Sequence, residues 1–198
     1  MRRFLASLCC IFCFSMATQL LQSCCLNPPK DYLEFVDFDF SAKRILEQKV
    51  SQRFYYELSD EPINGAIRYD SVALYIAHDV RQSINSDYMA PFPGALYACS
   101  ERTINKNSID EITLTSDVEY AGIAAGESLN HLVQMVDHSV HSYGKNLYEF
   151  EDTQYGGEFL IIFNIPPVKE GQFNFNLIYR MTDGSEIQKS IEQLIIKP

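Results

Sequence analysis

Gln172-Phe173-Asn174-Phe175-Asn176-Leu177, near the end of the chain, is the stretch that decides how the rest is read. Phe173, Phe175 and Leu177 alternate with the amides Gln172, Asn174 and Asn176. A period of two belongs to a strand with one face in a core and the other in water. Asp183-Gly184 follows, a dipeptide able to take the positive φ that a tight hairpin turn requires. The chain then returns through Ile187, Ile191 and Ile195, so an antiparallel hairpin is expected here.

The same period recurs upstream. Val36, Phe38 and Phe40 alternate with Asp37 and Asp39, and Val72, Leu74, Ile76 and Val80 are set against Tyr75 and Asp79. Ile112 and Leu114 sit among threonines, and Phe159 to Ile165 is a nearly continuous apolar run before Pro166-Pro167. Phe54–Leu58, Ala95–Cys99 and Leu147–Phe150 are weaker candidates, which brings the total to about eight strands. That is too many for one open sheet, because a sheet must bury its apolar face against a second layer. The expected fold is an Ig-like antiparallel β-sandwich over residues 32–198. One segment breaks the period: Leu129, Leu132, Val133 and Val136 fall at i, i+3, i+4 and i+7, with Ser128 placed as an N-cap. This spacing predicts a short helix over Ser128–Val136, plugging one end of the sandwich.

Residues 1–23 have the parts of an export signal: Arg2 and Arg3, an apolar run from Phe4 to Ala17, and small Ser23 before the cut. The run is about 14 residues, short of the roughly 20 that a helix needs to cross a bilayer. Leu21-Gln22-Ser23-Cys24 resembles a lipobox, with an apolar residue at −3 and a small one at −1. Cys24 is therefore the expected lipidation site. Shifting the register to Cys25 would place Gln22 and Cys24 at those positions, both poor fits. Residues 24–31, interrupted by Pro28-Pro29, read as a lipidated tether.

The signal takes Cys9, Cys10 and Cys13 with it, and lipid consumes Cys24, so the folded domain keeps Cys25 and Cys99. Exported proteins meet an oxidising compartment, and a Cys25–Cys99 disulfide is one reading of this pair. The other is a buried Cys99 acting as a small hydrophobe beside a free Cys25.

A net charge of −10, with acids spread along the chain, makes nucleic acid an improbable partner and disfavours anionic headgroups. A hydrophobic share of 46 %, with 12 Tyr and 13 Phe, argues for a packed domain rather than a disordered stalk.

Catalytic chemistry leaves no recognisable mark. There is no G-x-S-x-G elbow, H-E-x-x-H pair, phosphate-cradling glycine loop or D-x-D-x-D-G calcium loop, so neither an enzyme nor a cofactor is expected. His131, His138 and His141, with Asp137, form one cluster of potential metal ligands. On a continuous helix the three rings would share a face, but Ser139-Val140-His141-Ser142-Tyr143-Gly144 reads as loop or strand, and surface histidines are the expected outcome. Asp37 and Asp39 share the spacing of paired metal-binding carboxylates, yet on an alternating strand both are expected to face solvent. Glu149, Glu151 and Asp152 near Tyr148 and Tyr155 combine acids with aromatic faces, as sugar-binding surfaces do, although the chain has no Trp.

Ala95-Leu96-Tyr97-Ala98-Cys99-Ser100, Ile112-Thr113-Leu114-Thr115-Ser116-Asp117, Ala125-Gly126-Glu127-Ser128-Leu129-Asn130 and the closing hairpin together resemble an uncharacterised Bacteroidota lipoprotein family. The resemblance implies a lipid-anchored sandwich attached to the outer membrane of the cell envelope, on its periplasmic or external face. It supplies no catalytic or binding residues. The function expected is a binding or assembly module for an envelope protein partner, with a glycan-binding accessory lipoprotein or an envelope hydrolase as the alternatives. A fimbrial subunit is a further one, although a complete closing hairpin leaves no place for a donated strand.

Overall fold

The alternation over 173–177 is a strand as expected: Phe173, Phe175 and Leu177, continued by Tyr179 and Met181, are all at most 3 % exposed. It belongs to a computed structural model that describes residues 30–50, 54–84, 102–105, 107–138 and 157–198. The strands run in the order β1 (Lys30–Val50), β2 (Phe54–Ser59), β3 (Ile67–Arg68), β4 (Val72–Ile84) and β5 (Arg102–Asn105). They continue with β6 (Ile109–Ser116), β7 (Val133–Asp137), β8 (Glu158–Phe163), β9 (Gly171–Met181) and β10 (Glu186–Lys197). The candidate strands Ala95–Cys99 and Leu147–Phe150 lie outside the described residues.

Residues 34–81 and 107–198 form one unit, and residues 1–33 and 82–106 a second, in which Lys30–Leu33 pairs in parallel with β5. The larger unit is a β-sandwich. One sheet has the order β2-β1-β4-β8-β7 and the other β3-β10-β9-β6. With β2, β3 and β5 set aside, β1-β4-β8-β7 and β10-β9-β6 follow the A-B-E-D and G-F-C order of a constant-type immunoglobulin domain. Short β3 runs parallel to the end of β10, pairing Ile67 with Ile196 and Arg68 with Lys197.

Two aromatic groups fill the space between the sheets. Phe35 and Phe38 from β1 and His78 from β4 meet Tyr179 of β9, with Phe38 stacked on Tyr179 at 4.4 Å between ring centroids, and Phe159 of β8 packs on His78. Farther along β9, Phe173 and Phe175 meet Phe163 of β8 and Tyr120. Tyr120, Phe175 and Tyr179 are fully buried, and each such ring removes some 150–250 Å² from water.

Two expectations need correction. No α-helix forms over Ser128–Val136: Asn130–Leu132 is one 3-10 turn and Val133–Asp137 is strand β7. Val133 and Met135 are buried, but so is Val136, which packs with Ala73 and Leu160 in a second apolar cluster. Burial on both faces erased the alternation, and the residues left apolar happened to fit a helical stripe. Ser128 does accept an N–H, from Asn130 at 3.3 Å, as a turn rather than a cap of a continuing helix.

The second correction is the phase of β10. Ile187 and Ile191 lie opposite Tyr179 and Phe175, but the register shifts between Ile191 and Leu194, where Gln193 has φ +59°. That bulge carries Leu194 and Ile196 into the core and turns Ile195 to the other face. In β1, Phe35 and Phe38, three residues apart, are both buried, so alternation slips between them. Asp37 stays half exposed and meets Lys189 of the opposite sheet at 2.8 Å, and that ammonium holds its carboxyl below the usual range.

Lys189 sits opposite Leu177, on the inward-facing phase of a strand that beyond Ile196 and Lys197 has no second neighbour among the described residues. An inward charge and a bulge are two devices that keep a free edge from pairing with another chain. Lys189→Leu should therefore change stability by no more than about 1 kcal/mol, since the ion pair is more than a third exposed. It should nevertheless raise self-association. Sedimentation of the detergent-solubilised variant checks this, and a strictly monomeric variant would contradict the edge assignment.

Candidate functional site

The apolar groups left on the surface identify the first candidate. Among the described residues the exposed large hydrophobics are Leu46, Val118, Ile165 and Val168, the last 76 % exposed. Val118 and Val168 line a groove of about 500 Å³ whose other walls include Glu119, Pro167, Lys169 and Phe173. The groove runs between the β6–β7 connection and the β8–β9 connection.

Its walls are fixed from beneath. Asp117 receives both the backbone N–H of Asn174, at 2.8 Å, and its side-chain amide, at 2.7 Å, while Asp117 N–H returns a bond to Asn174 O. The remaining oxygen of the Asn174 amide takes Gln193 N–H in the β10 bulge at 2.7 Å. Tyr120 and Ile123 then exchange backbone bonds across a two-residue turn in which Ala121 and Gly122 have φ +50° and +86°. Two successive positive φ values define the mirror-image turn that reverses a chain most tightly. From that turn Tyr120 drops into the core, and its hydroxyl donates to Ile165 O at 3.1 Å. One side chain thus ties the two connections together. Burial pushes the Tyr120 phenol far above its ordinary range, so it remains a donor at any physiological pH.

The groove offers apolar contact between one carboxylate and one ammonium. Among the described residues neither Glu119 nor Lys169 is held by an ion pair.

The second candidate is His78, which lies inside the sandwich. Its Nε2 is 2.9 Å from the Tyr179 hydroxyl, its Nδ1 is buried without a hydrogen-bond partner among the described residues, and burial pushes its pKa down to about 4. A ring enclosed in this way and already bonded is unsuited to proton transfer with a substrate. β4 and β9 are the strands that carry the inter-sheet disulfide in antibody domains. Here a hydrogen bond joins them. Sequence analysis missed His78, although it continues the inward series Val72, Leu74, Ile76.

Of the residues singled out in the sequence, Cys24, Cys25, Cys99 and His141 lie outside the described ones, as do Tyr148, Glu149, Glu151, Asp152 and Tyr155. His131 is exposed in the 3-10 turn and His138 directly follows β7, so the helical face imagined for the histidines does not exist. Among the described residues no group of three His, Cys, Asp or Glu side chains gathers as metal ligands would. Comparison with family models, curated proteins and solved structures finds no match to this chain.

Proposed function

We propose that this protein is a lipid-anchored envelope lipoprotein whose β-sandwich is a binding or assembly module for a protein partner, docked on the groove between the β6–β7 and β8–β9 connections. The observation that carries the reading is that two of the four exposed large hydrophobics described, Val118 and Val168, line the same groove. Scattered exposed apolar side chains are ordinary, whereas a cluster beside a groove marks a contact surface. That these groups are aliphatic favours a protein over a sugar, since sugar faces are built from exposed aromatic rings. The lipobox reading of Leu21–Cys24 places the module at a membrane.

Val168 is the residue to change. It is too exposed for its removal to disturb the core, so Val168→Asp should leave thermal unfolding within about 0.5 kcal/mol of wild type. A charge at the centre of a docking surface should reduce capture of a partner from detergent-solubilised envelopes by at least tenfold, equivalent to about 1.4 kcal/mol. A photo-reactive residue at position 168 should crosslink to the same partner, and one at exposed Gln188 should not. Equal capture by wild type and Val168→Asp would remove the groove from the interface.

A further inference from the structure

His78 projects from β4 and Tyr179 from β9, so their 2.9 Å hydrogen bond spans the two sheets of the sandwich. The surroundings of the imidazole are aromatic on every strand that packs against it. Phe35 of β1 lies edge-on at 5.1 Å, Phe159 of β8 is at 4.7 Å, and Tyr179 itself is at 5.5 Å. Of the charged groups on those strands, Glu34 has a partner and Asp39 is exposed. Asp37 is bonded to Lys189, Arg180 to Glu111, and Glu158 to the Tyr75 hydroxyl. Asp137 of β7, in register with Phe159, has a partner as well, and Asp79 on His78's own strand is exposed.

A neutral imidazole fits this enclosure with one hydrogen bond. An imidazolium carries two N–H donors. Tyr179 can accept from Nε2, but Nδ1 is buried with nothing among the described residues to receive its proton. We infer that His78 is a proton-sensitive latch between the sheets, holding the sandwich closed through Tyr179 while the imidazole is neutral and destabilising it when acid adds a charge and an Nδ1 proton that finds no acceptor. The inference rests on the sandwich alone and stands whatever docks on the groove. A protein displayed on a cell envelope meets the pH of its surroundings, so such a latch would release the core in acid.

The sign follows from where the proton binds. The imidazole pKa is pushed from 6.5 down to about 4 by burial, with no charged neighbour among the causes. Between these values the unfolded chain binds a proton that the folded chain refuses, so stability falls as pH drops through that window and is unaffected above it. Over the full window the unfolding equilibrium constant should rise roughly 300-fold on account of this one ring.

Urea unfolding of the detergent-solubilised full chain, at pH 7.5 and 4.5, tests the latch with wild type beside His78→Gln. Glutamine keeps a polar group near Tyr179 but does not titrate. The ratio of the wild-type to the variant unfolding constant should rise on the order of 100-fold between the two pH values, and a ratio constant within threefold would overturn the latch. Where His78→Gln does not fold, the imidazole resonances of the wild type report on the same ring. Of the 4 histidines in the chain, one should stay neutral until the protein begins to open, and four ordinary titrations near pH 6.5 would overturn the inference equally.

Discussion

Cys24→Ala should abolish incorporation of labelled palmitate and move the protein from the membrane fraction to the soluble one. The expectation rests on Leu21-Gln22-Ser23-Cys24, where the apolar residue at −3 and the small residue at −1 select that sulfur. The effect is all or none because of how acyl chains bind. Each buried methylene contributes about 0.8 kcal/mol, one chain alone holds a protein only marginally, and several on one residue hold it for as long as the cell needs. Alanine removes the attachment atom for all of them. Cys25→Ala is the control, since it keeps the sulfur of Cys24 and should be labelled like wild type. A Cys24→Ala protein that still takes up palmitate would refute the anchor, and with it the envelope reading, without touching the groove or the latch.

How far the residues could be read depended on whether one face or two were buried. Phe173, Phe175 and Leu177 were legible because the amides Gln172, Asn174 and Asn176 mark the opposite face. The strand at Val133–Asp137 was not, because Val136 lies in the small apolar cluster with Ala73 and Leu160 and is as buried as Val133. Ile195 was assigned to the wrong face for a different reason. A bulge adds one residue between Ile191 and Leu194, and nothing in Glu192-Gln193 announces it, since Gln at φ +59° is an uncommon choice for a position that suits glycine. The His78 latch was within reach, one step along a series already recognised. The groove was out of reach. Val118 and Val168 are fifty residues apart in sequence, and what brings them together is a tyrosine hydroxyl on a backbone carbonyl, a contact without a sequence period.

The sandwich also protects strand edges with side chains that imitate a neighbouring strand. Asn107 receives Phe35 N–H and donates to Phe35 O, both at 2.9 Å, as the next strand's backbone would. Asn130 does the same at the far edge of the other sheet, accepting Leu114 N–H at 2.9 Å and donating to Ile112 O at 2.7 Å. Leu129 N–H, bonded to Leu114 O, extends the imitation by one residue. Because Asn130 is buried, water cannot replace it.

Asn130→Ala should therefore be costly for its size. It leaves one N–H and one C=O buried without partners, each worth about 1–3 kcal/mol, so a loss of about 4 kcal/mol is expected in urea unfolding. A loss under 1 kcal/mol would mean that water reaches the edge after all. Asn130→Asp sharpens the test, because it preserves shape and changes only a proton. The ionised carboxylate can still accept from Leu114 N–H but faces Ile112 O with an oxygen, so burial and that carbonyl must raise its pKa above the ordinary value of about 3.9. A carboxyl whose folded pKa is raised is most favourable when protonated, so the variant should come nearest to wild type below the unfolded pKa. It should lose that ground as pH rises through the folded value. This trend is opposite in sign to the one expected from His78. Measured as the difference between Asn130→Asp and wild type, the latch cancels, and a gap that narrows with rising pH would show that the side chain at 130 does not donate to Ile112.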